Sequence, residues 1–360
     1  MGYAAARGGL TAIRQAEDLV RRLRDDDKSD AIKNNQFTGR LRLLVDKVMG
    51  EAGFWAPDLA AAAIRQAEGD TIEAVHLLRA FKSTLPRLAT AEVIDADEIR
   101  LFRRVVPAFR DPGGPQILGR STDYSARMLA INSPSTAPIE LEHEKESSTE
   151  PYVEVTRMMD VLRSMDLLVD RRREDDPEPF DITRIPAKPG APRSALLATM
   201  ARAETGALLN QWYRNILGPD GYLHEITLGE VRHGELPLRT KHPVTHEEIT
   251  IGHFRVTEVE AIEDLNGIDE ERSKFDIGYG MCLGHNERKA IAMANLDIAC
   301  SRDSGKSSLE QSVLMTTDGL DSAGFLEHLK LPHYVTFRSM VERKIAMRKV
   351  QASKTQSVLP

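Results

Sequence analysis

Apolar spacing changes period partway along this chain, and that change limits the fold more than any other feature of the sequence. Up to about residue 90, apolar residues recur every three or four positions: Leu10, Ile13, Leu19, Val20 and Leu23, then Leu41, Leu44, Val45 and Val48. That spacing lays a stripe along a helix. Beyond the turn residues Gly218-Pro219-Asp220-Gly221 the pattern alternates, through Ile226, Leu228, Val231, Leu236 and Leu238 to Ile249, Ile251, Phe254, Val256 and Val259. Alternation places successive side chains on opposite faces of a strand and predicts an antiparallel meander over residues 222–263. The expected class is therefore α+β. It comprises an N-terminal helical region at 1–131, an exposed linker at 132–151 and a mixed α/β domain at 152–360.

Local signals fill in the elements. Pro57 suits the first turn of a helix, and Asp70-Thr71-Ile72-Glu73 caps another with Val75, Leu78, Phe81 and Leu85 facing inward, ended by Pro86. Ile99 to Val106 reads as a strand before the turn Asp111-Pro112-Gly113-Gly114-Pro115. A helix is expected from Val153 to Leu168, and Ser194 is expected to cap a long one running towards Leu217. Residues 278–284 read as strand and turn, Asn286 as the cap of a helix to Ala299, and Val313 to Met315 as a short strand. Helices then follow around Leu320 to His328 and after Thr336.

Composition narrows function. A net charge of -7 argues against a general nucleic-acid binder, which needs a basic face to release phosphate counterions. No apolar run approaches the roughly 20 residues that cross a bilayer, and Met1-Gly2-Tyr3-Ala4-Ala5-Ala6-Arg7 carries neither a secretory nor a myristoyl signal. Two cysteines, Cys282 and Cys300, are too few for a disulfide scaffold, an iron-sulfur cluster or a zinc site of their own, so a reducing cytoplasm is expected. Of the 48 basic residues 34 are arginine, which suits phosphate or phosphonate recognition and equally suits a GC-rich genome.

Three constellations bear chemistry. Gly278-Tyr279-Gly280 and Gly284 feed a capped helix with Glu287, Arg288 and Lys289 in its first turn, an arrangement that either offers amides to an anion or packs strand on helix. His233, His242, His246 and His253 crowd the meander, but no cysteine or spaced carboxylate completes a metal set. His328 and His333 flank the helix-stopping Pro332, as two imidazoles of a half-complete site or as helix-end caps.

The stretches Gly278-Tyr279-Gly280 to Gly284, Glu287-Arg288-Lys289-Ala290 and Ala323-Gly324-Phe325 to His328-Leu329-Lys330-Leu331-Pro332-His333-Tyr334-Val335 resemble the PhnI family of the bacterial carbon-phosphorus lyase core complex. The resemblance continues through Val45-Asp46, Gly69-Asp70, Leu77-Leu78-Arg79-Ala80, Gly113-Gly114, Leu118-Gly119, Asp123-Tyr124 and Asp181-Ile182-Thr183-Arg184. It covers nearly the whole chain outside 132–151 and parts of the meander, and the meander histidines are not part of it.

This resemblance implies a cytoplasmic subunit of phosphonate catabolism that displaces adenine from Mg-ATP with a phosphonate such as methylphosphonate, giving a ribose 1-phosphonate 5-triphosphate. Alone, such a subunit acts as a nucleosidase on ATP or GTP. The implied partners are PhnG, PhnH and PhnJ with PhnK- and PhnL-type ATPases, in an assembly holding two copies of this chain. His328 and His333 would bind zinc at the interface with PhnJ, which carries the radical iron-sulfur chemistry. Nucleic acid and membrane are not expected partners. The alternatives are a non-catalytic scaffold that completes the PhnJ site, and an unrelated arginine-rich binding module. Loss of adenine passes through an oxocarbenium-like state that calls for an acid, an anion and cations. Charged residues inside the family-like motifs meet these needs: Asp181 or Glu287 as the acid, with Asp123, Arg184, Arg288, Gly278 and Gly280 on the substrate. Arg79, Arg103 and Arg104 are further candidate cations.

Overall fold

The computed structural model describes residues 9–26, 29–124, 155–169, 180–217, 226–264, 273–302, 308–330 and 334–356. The expected linker at 132–151 lies outside them. Five helices come first: α1 (Gly9–Asp25), α2 (Asn34–Arg40), α3 (Arg42–Ala52), α4 (Pro57–Gln66) and α5 (Thr71–Ser83). Then follow β1 (Arg100–Val105), α6 (Met158–Ser164), α7 (Arg193–Arg202), α8 (Thr205–Leu217), β2 (Ile226–Lys241), β3 (Glu248–Asp264) and β4 (Phe275–Leu283). The chain returns to helix in α9 (Glu287–Arg302), α10 (Ser308–Thr316), α11 (Gly319–Lys330) and α12 (Tyr334–Gln356). The fold is α+β. Two compact units divide it, residues 34–319 and residues 1–33 with 320–360.

The larger unit is built on one antiparallel sheet in the order β1-β2-β3-β4. On one face lies α9, whose Ala290, Ala292, Met293, Ala294, Leu296 and Ile298 are buried with Val231, Val259 and Ala261 of the sheet and Met200 and Leu208 of α7 and α8. Gly278 and Gly280 make this approach possible. A Cβ on Gly278 would lie 2.0 Å from the Ala294 carbonyl oxygen, and one on Gly280 2.2 Å from that of Ala290. The outer edge of β4 is closed by the same helix, since Asp297 accepts a hydrogen bond from the Tyr279 amide at 2.9 Å.

The opposite face packs Val106 and Ile262 on Met158, Met159 and Leu162 of α6, and it also carries charge. Arg104, fully buried, donates to Glu230 at 2.7 Å, and the other Glu230 oxygen accepts the Met158 amide at 2.9 Å, which seats the start of α6. Arg232 and Arg157 both reach Glu258, at 2.7 Å and 2.5 Å. Beside them, burial pushes the Glu260 carboxyl up to about 7 against the pull of Arg157.

Several expectations are corrected. The alternating run 226–238 is a single long strand with bulges between Leu228 and Glu230 and between Leu238 and Arg239. The helix expected from Ser194 to Leu217 breaks at Ala203, where the backbone is extended, and the Glu204 carboxylate accepts from the Gly206 and Ala207 amides to start α8. Ser194 sits inside α7 instead of capping it, its hydroxyl accepting from the Phe180 amide. Val313 to Met315 belongs to α10, where Val313 is fully buried; an apolar triplet cannot distinguish strand from helix. Among the described residues the helix expected from Val153 is α6, which ends at Ser164. In α5, Val75 and Leu78 are buried, whereas Phe81 and Leu85 are exposed. Asp70 caps that helix as expected, accepting from Ile72 and Glu73.

Gly280→Ala should lower stability by about 1–3 kcal/mol, because the new methyl meets backbone that cannot retreat without moving α9. Gly252→Ala, with nothing within 4 Å of the added carbon, should be close to neutral. Urea midpoints at unchanged slope measure both.

Candidate active site

At the end of the sheet where β4 turns into α9, buried charge gathers around one tight turn. Gly284 adopts φ +73°, and a Cβ there would lie 2.7 Å from the Cβ of Asp46 on α3. The turn is pinned from both sides. Its Gly284 amide donates to the Arg255 carbonyl at 2.8 Å, and the His285 amide to Asp46 at 3.1 Å. Thr257 on β3 accepts from the Asn286 amide at 3.1 Å while its hydroxyl donates to the Gly284 carbonyl at 2.7 Å. Asn286 caps the turn differently from expectation, its side-chain amide donating to the carbonyls of Asp46 and Leu283.

His285 links what surrounds it. Arg42 donates to its Nδ1 at 2.8 Å. A guanidinium has only donors, so Nδ1 is the lone-pair nitrogen and the ring proton sits on Nε2, 3.3 Å from Glu287 Oε1. Beneath it lies His233, stacked at 4.2 Å between centroids and 12° between planes. His233 gives its own Nδ1 proton to the Val256 carbonyl at 2.8 Å. Burial, then the neighbouring imidazole, pushes its pKa down to about 3, so the stack contains a neutral ring at physiological pH.

Glu287 receives Arg103 as well as His285, both on Oε1. Burial works to raise its pKa, but these contacts outweigh it and hold the carboxyl below the ordinary glutamate value. Arg103 spends its remaining donors on the Leu118 carbonyl at 2.6 Å and on Asp123 at 2.9 Å, and Asp123 also accepts from Ser121. Asp46 is shifted the other way, raised by burial and only partly restored by the His285 amide. Around these acids stand Arg42, Arg120 and Arg255, with Arg288 exposed on the first turn of α9.

The residues singled out from sequence thus fall into three groups. Glu287 and Asp123 are brought together on Arg103. Asp181 and Arg184 form a separate surface turn, with Asp181 accepting from Thr183 and from Arg87 at 2.8 Å and lying 3.5 Å from Arg184. The Thr183 and Arg87 hydrogen bonds hold Asp181 well below the usual carboxylate range. Gly278 and Gly280 meet the α9 backbone, so packing accounts for them. His328 lies in α11, and His333 lies outside the described residues. His242 and His246 occupy the hairpin turn, His253 is exposed on β3, and only His233 of the meander histidines joins the site. Among the described residues no group of three or more His, Cys, Asp and Glu is placed to hold a metal. Arg79 and Arg104 are spent on carboxylates and carbonyls.

Sequence reasoning missed Arg42, Arg255, Thr257 and His285. The last had a signal, since it stands between the glycine turn and Glu287 inside the most motif-like stretch of the chain.

Residues 2–353 match the family described as bacterial phosphonate metabolism protein (PhnI). Among curated relatives, a protein from Stutzerimonas stutzeri named as a candidate C-P lyase subunit, HtxH, is 40% identical over 375 residues, covering 100% of both chains. Two proteins named alpha-D-ribose 1-methylphosphonate 5-triphosphate synthase subunit PhnI are each 34% identical. That from Rhizobium meliloti covers 96% of this chain and 95% of its own, and that from Escherichia coli 94% and 96%.

The His233 stack carries a pH signature. Its pKa is lower folded than unfolded, so below about 6.5 the unfolded chain binds the extra proton. Stability is lost as pH falls from there towards 3, by up to about 1.4 kcal/mol per pH unit. His233→Asn should abolish that component, seen as a flatter dependence of the urea midpoint on pH between 4 and 6.5.

Proposed function

The chain belongs to the PhnI family of bacterial phosphonate metabolism proteins, and on that premise we propose that it transfers a ribosyl group within a carbon-phosphorus lyase. In this reaction an oxygen of methylphosphonate bonds to C1' of ATP as the bond from C1' to the purine nitrogen breaks. The purine leaves with the bonding pair. If the phosphonate enters as its monoanion, its one acidic proton balances the N-H of the released adenine. The product is a ribose carrying phosphonate at C1' and triphosphate at the 5' position, in line with the names of two relatives. Water in place of the phosphonate would give nucleosidase activity on ATP or GTP.

The observation that carries this reading is the state of Glu287. Arg103 and His285 occupy Oε1 and keep the carboxyl ionised at the mouth of α9. An ionised carboxylate protonates a leaving group poorly but stabilises positive charge developing at C1'. Glu287 therefore serves as the anion facing the oxocarbenium-like centre instead of the acid. The same argument weighs against Asp181 as acid, since its hydrogen bonds favour the ionised form. Substrate contacts are assigned to Arg288, exposed beside Glu287, and to Asp123, bound to Arg103. Arg184 remains a candidate anion contact on the Asp181 turn.

Zinc fits the donor set of His328 and His333 only in part. Two imidazoles suit the ion, but a tetrahedral site needs two more ligands. We assign those to a partner subunit of the PhnJ type, so that the ion, when bound, clamps one subunit to the other. Assembly also suits the apolar residues left exposed on α11 and α12, among them Phe325, Leu326, Leu329, Phe337 and Met340. PhnG, PhnH and the PhnK- and PhnL-type ATPases complete the proposed complex, with two copies of this chain.

Two measurements test the proposal. In the assembled complex, Glu287→Gln should slow adenine release from Mg-ATP with methylphosphonate by about 100-fold or more, read by chromatography of base and sugar products. A rate within threefold of wild type would remove Glu287 from the reaction. His328→Ala should lower zinc content, measured by metal analysis of the purified complex, and unchanged zinc would overturn that assignment.

A further inference from the structure

Among the described residues, three guanidiniums that feel one another through Arg42, those of Arg42, Arg120 and Arg255, make no ion pair with a carboxylate. Arg42 spends its two terminal nitrogens on uncharged acceptors, His285 Nδ1 at 2.8 Å and the Arg120 carbonyl at 2.9 Å. Arg255 flanks the same turn, its carbonyl accepting the Gly284 amide at 2.8 Å. Its cross-strand neighbour on β2 is Glu235, which is drawn away to Arg100 at 2.6 Å. Arg120 is exposed in the segment that follows Gly119, and neither it nor Arg255 makes an ion pair among the described residues. The nearest acids are hydrogen-bonded elsewhere, Asp46 to the His285 amide, Asp123 to Arg103 and Ser121, and Glu287 to Arg103 and His285, so that Asp46 acts on Arg42 and Arg255 only through space.

Like charges held this close repel. Burial, and then the Arg120 charge, lower the proton affinity of Arg42, with Arg255 adding to the effect, and the charges of Asp46 and Glu287 offset only part of it. Arg103, Arg104 and Arg79 show what this chain does with guanidiniums it uses for structure, since each is tied to at least one carboxylate. Guanidiniums without such a bond keep N-H donors that an incoming anion can take. The N-terminal end of α9 adds positive potential to the same place.

We propose that Arg42, Arg120 and Arg255 form a seat for a tetrahedral phosphorus oxyanion, with Arg255 and Arg120 as its two walls and Arg42, fixed by His285, as its floor. The inference deepens the ribosyl-transfer reading and rests on it for the ligand class, which is either the entering phosphonate or a phosphate of the nucleotide tail. His285 is then a positioning residue. One imidazole fixes the cation that holds the anion through Nδ1 and the carboxylate that faces C1' through Nε2, keeping the two opposite charges from collapsing onto each other.

Calorimetric titration of the full chain with methylphosphonate and, separately, with inorganic tripolyphosphate tests this without any turnover. Arg255→Gln and Arg120→Gln should each weaken binding of the preferred probe at least tenfold, while their urea midpoints stay near wild type because neither side chain holds the fold together. Loss confined to methylphosphonate assigns the seat to the entering nucleophile, and loss confined to tripolyphosphate assigns it to the nucleotide tail. Wild-type affinity for both probes in both variants, or no binding of either probe to the wild-type chain, overturns the seat. Because the readout is binding, a seat that survives alongside unaltered adenine release in Glu287→Gln would remove Glu287 from the reaction and leave the anion site standing.

Discussion

Two adjacent guanidiniums buried on β1 impose more on this structure than any apolar contact does. Consecutive residues of a strand point to opposite faces, so Arg103 and Arg104, 5% and 0% exposed, carry charge into both sides of the sheet at once. A buried charge that loses one partner costs roughly 3–5 kcal/mol, so each must find its acid and its carbonyls. Arg104 takes Glu230 and the carbonyls of Pro115 and Thr156, which draws the segment before α6 and the turn after β1 onto one face. Arg103 takes Glu287, Asp123 and the Leu118 carbonyl, which ties the start of α9 and the 118–123 segment to the other. A one-residue slip of β1 would exchange the two sets and leave every one of these groups unpaired.

From that register the rest of the site follows. With β1 fixed against β2, Arg103 stands opposite His233, and His233 opposite Thr257 on β3. Thr257 pairs with Cys282 on β4, two residues before Gly284. The glycines of β4 let α9 lie close enough for its first residue, Glu287, to reach a guanidinium two strands away from β3. The sheet is thus a ruler that brings together residues more than 180 positions apart in sequence.

How much of this could be read from the sequence depended on whether the controlling interaction was local. Periodicity located α1, α3 and the sheet, Pro57 and Asp70 located helix starts, and the strand at 99–106 was recognised before its partners were known. These are signals within a few residues of their effect. The break between α7 and α8 depends on Glu204 capping its own helix while its amide binds the Thr317 carbonyl, more than a hundred residues on, and a helix-period pattern running through Leu196 to Leu217 concealed it. For the site, Glu287 and Asp123 were legible because they lie in dense motifs. Arg42 and Arg255 sit outside those motifs, and what distinguishes them, the lack of an ion pair among the described residues, is decided by tertiary structure alone.

That distinction also sorts the arginines of an acidic protein by purpose. Composition could say only that guanidiniums outnumber ammonium groups, which a GC-rich genome explains as well as phosphate chemistry does. Position separates the two explanations. Arg79, Arg103, Arg104, Arg157 and Arg193 are each paired with a carboxylate that is itself partly or wholly buried, and each crosslinks elements far apart in the chain, while Arg232 ties β2 to β3 through its cross-strand neighbour Glu258. Desolvating such pairs brings little net stability, but it fixes which element lies against which. The guanidiniums around the Gly284 turn feel Asp46 and Glu287 through space but make no ion pair with either, and they stand where an ionised carboxylate, an imidazole stack and a helix N-terminus also meet. Paired cations build the frame, and the proposed anion seat draws on guanidiniums that the frame does not use.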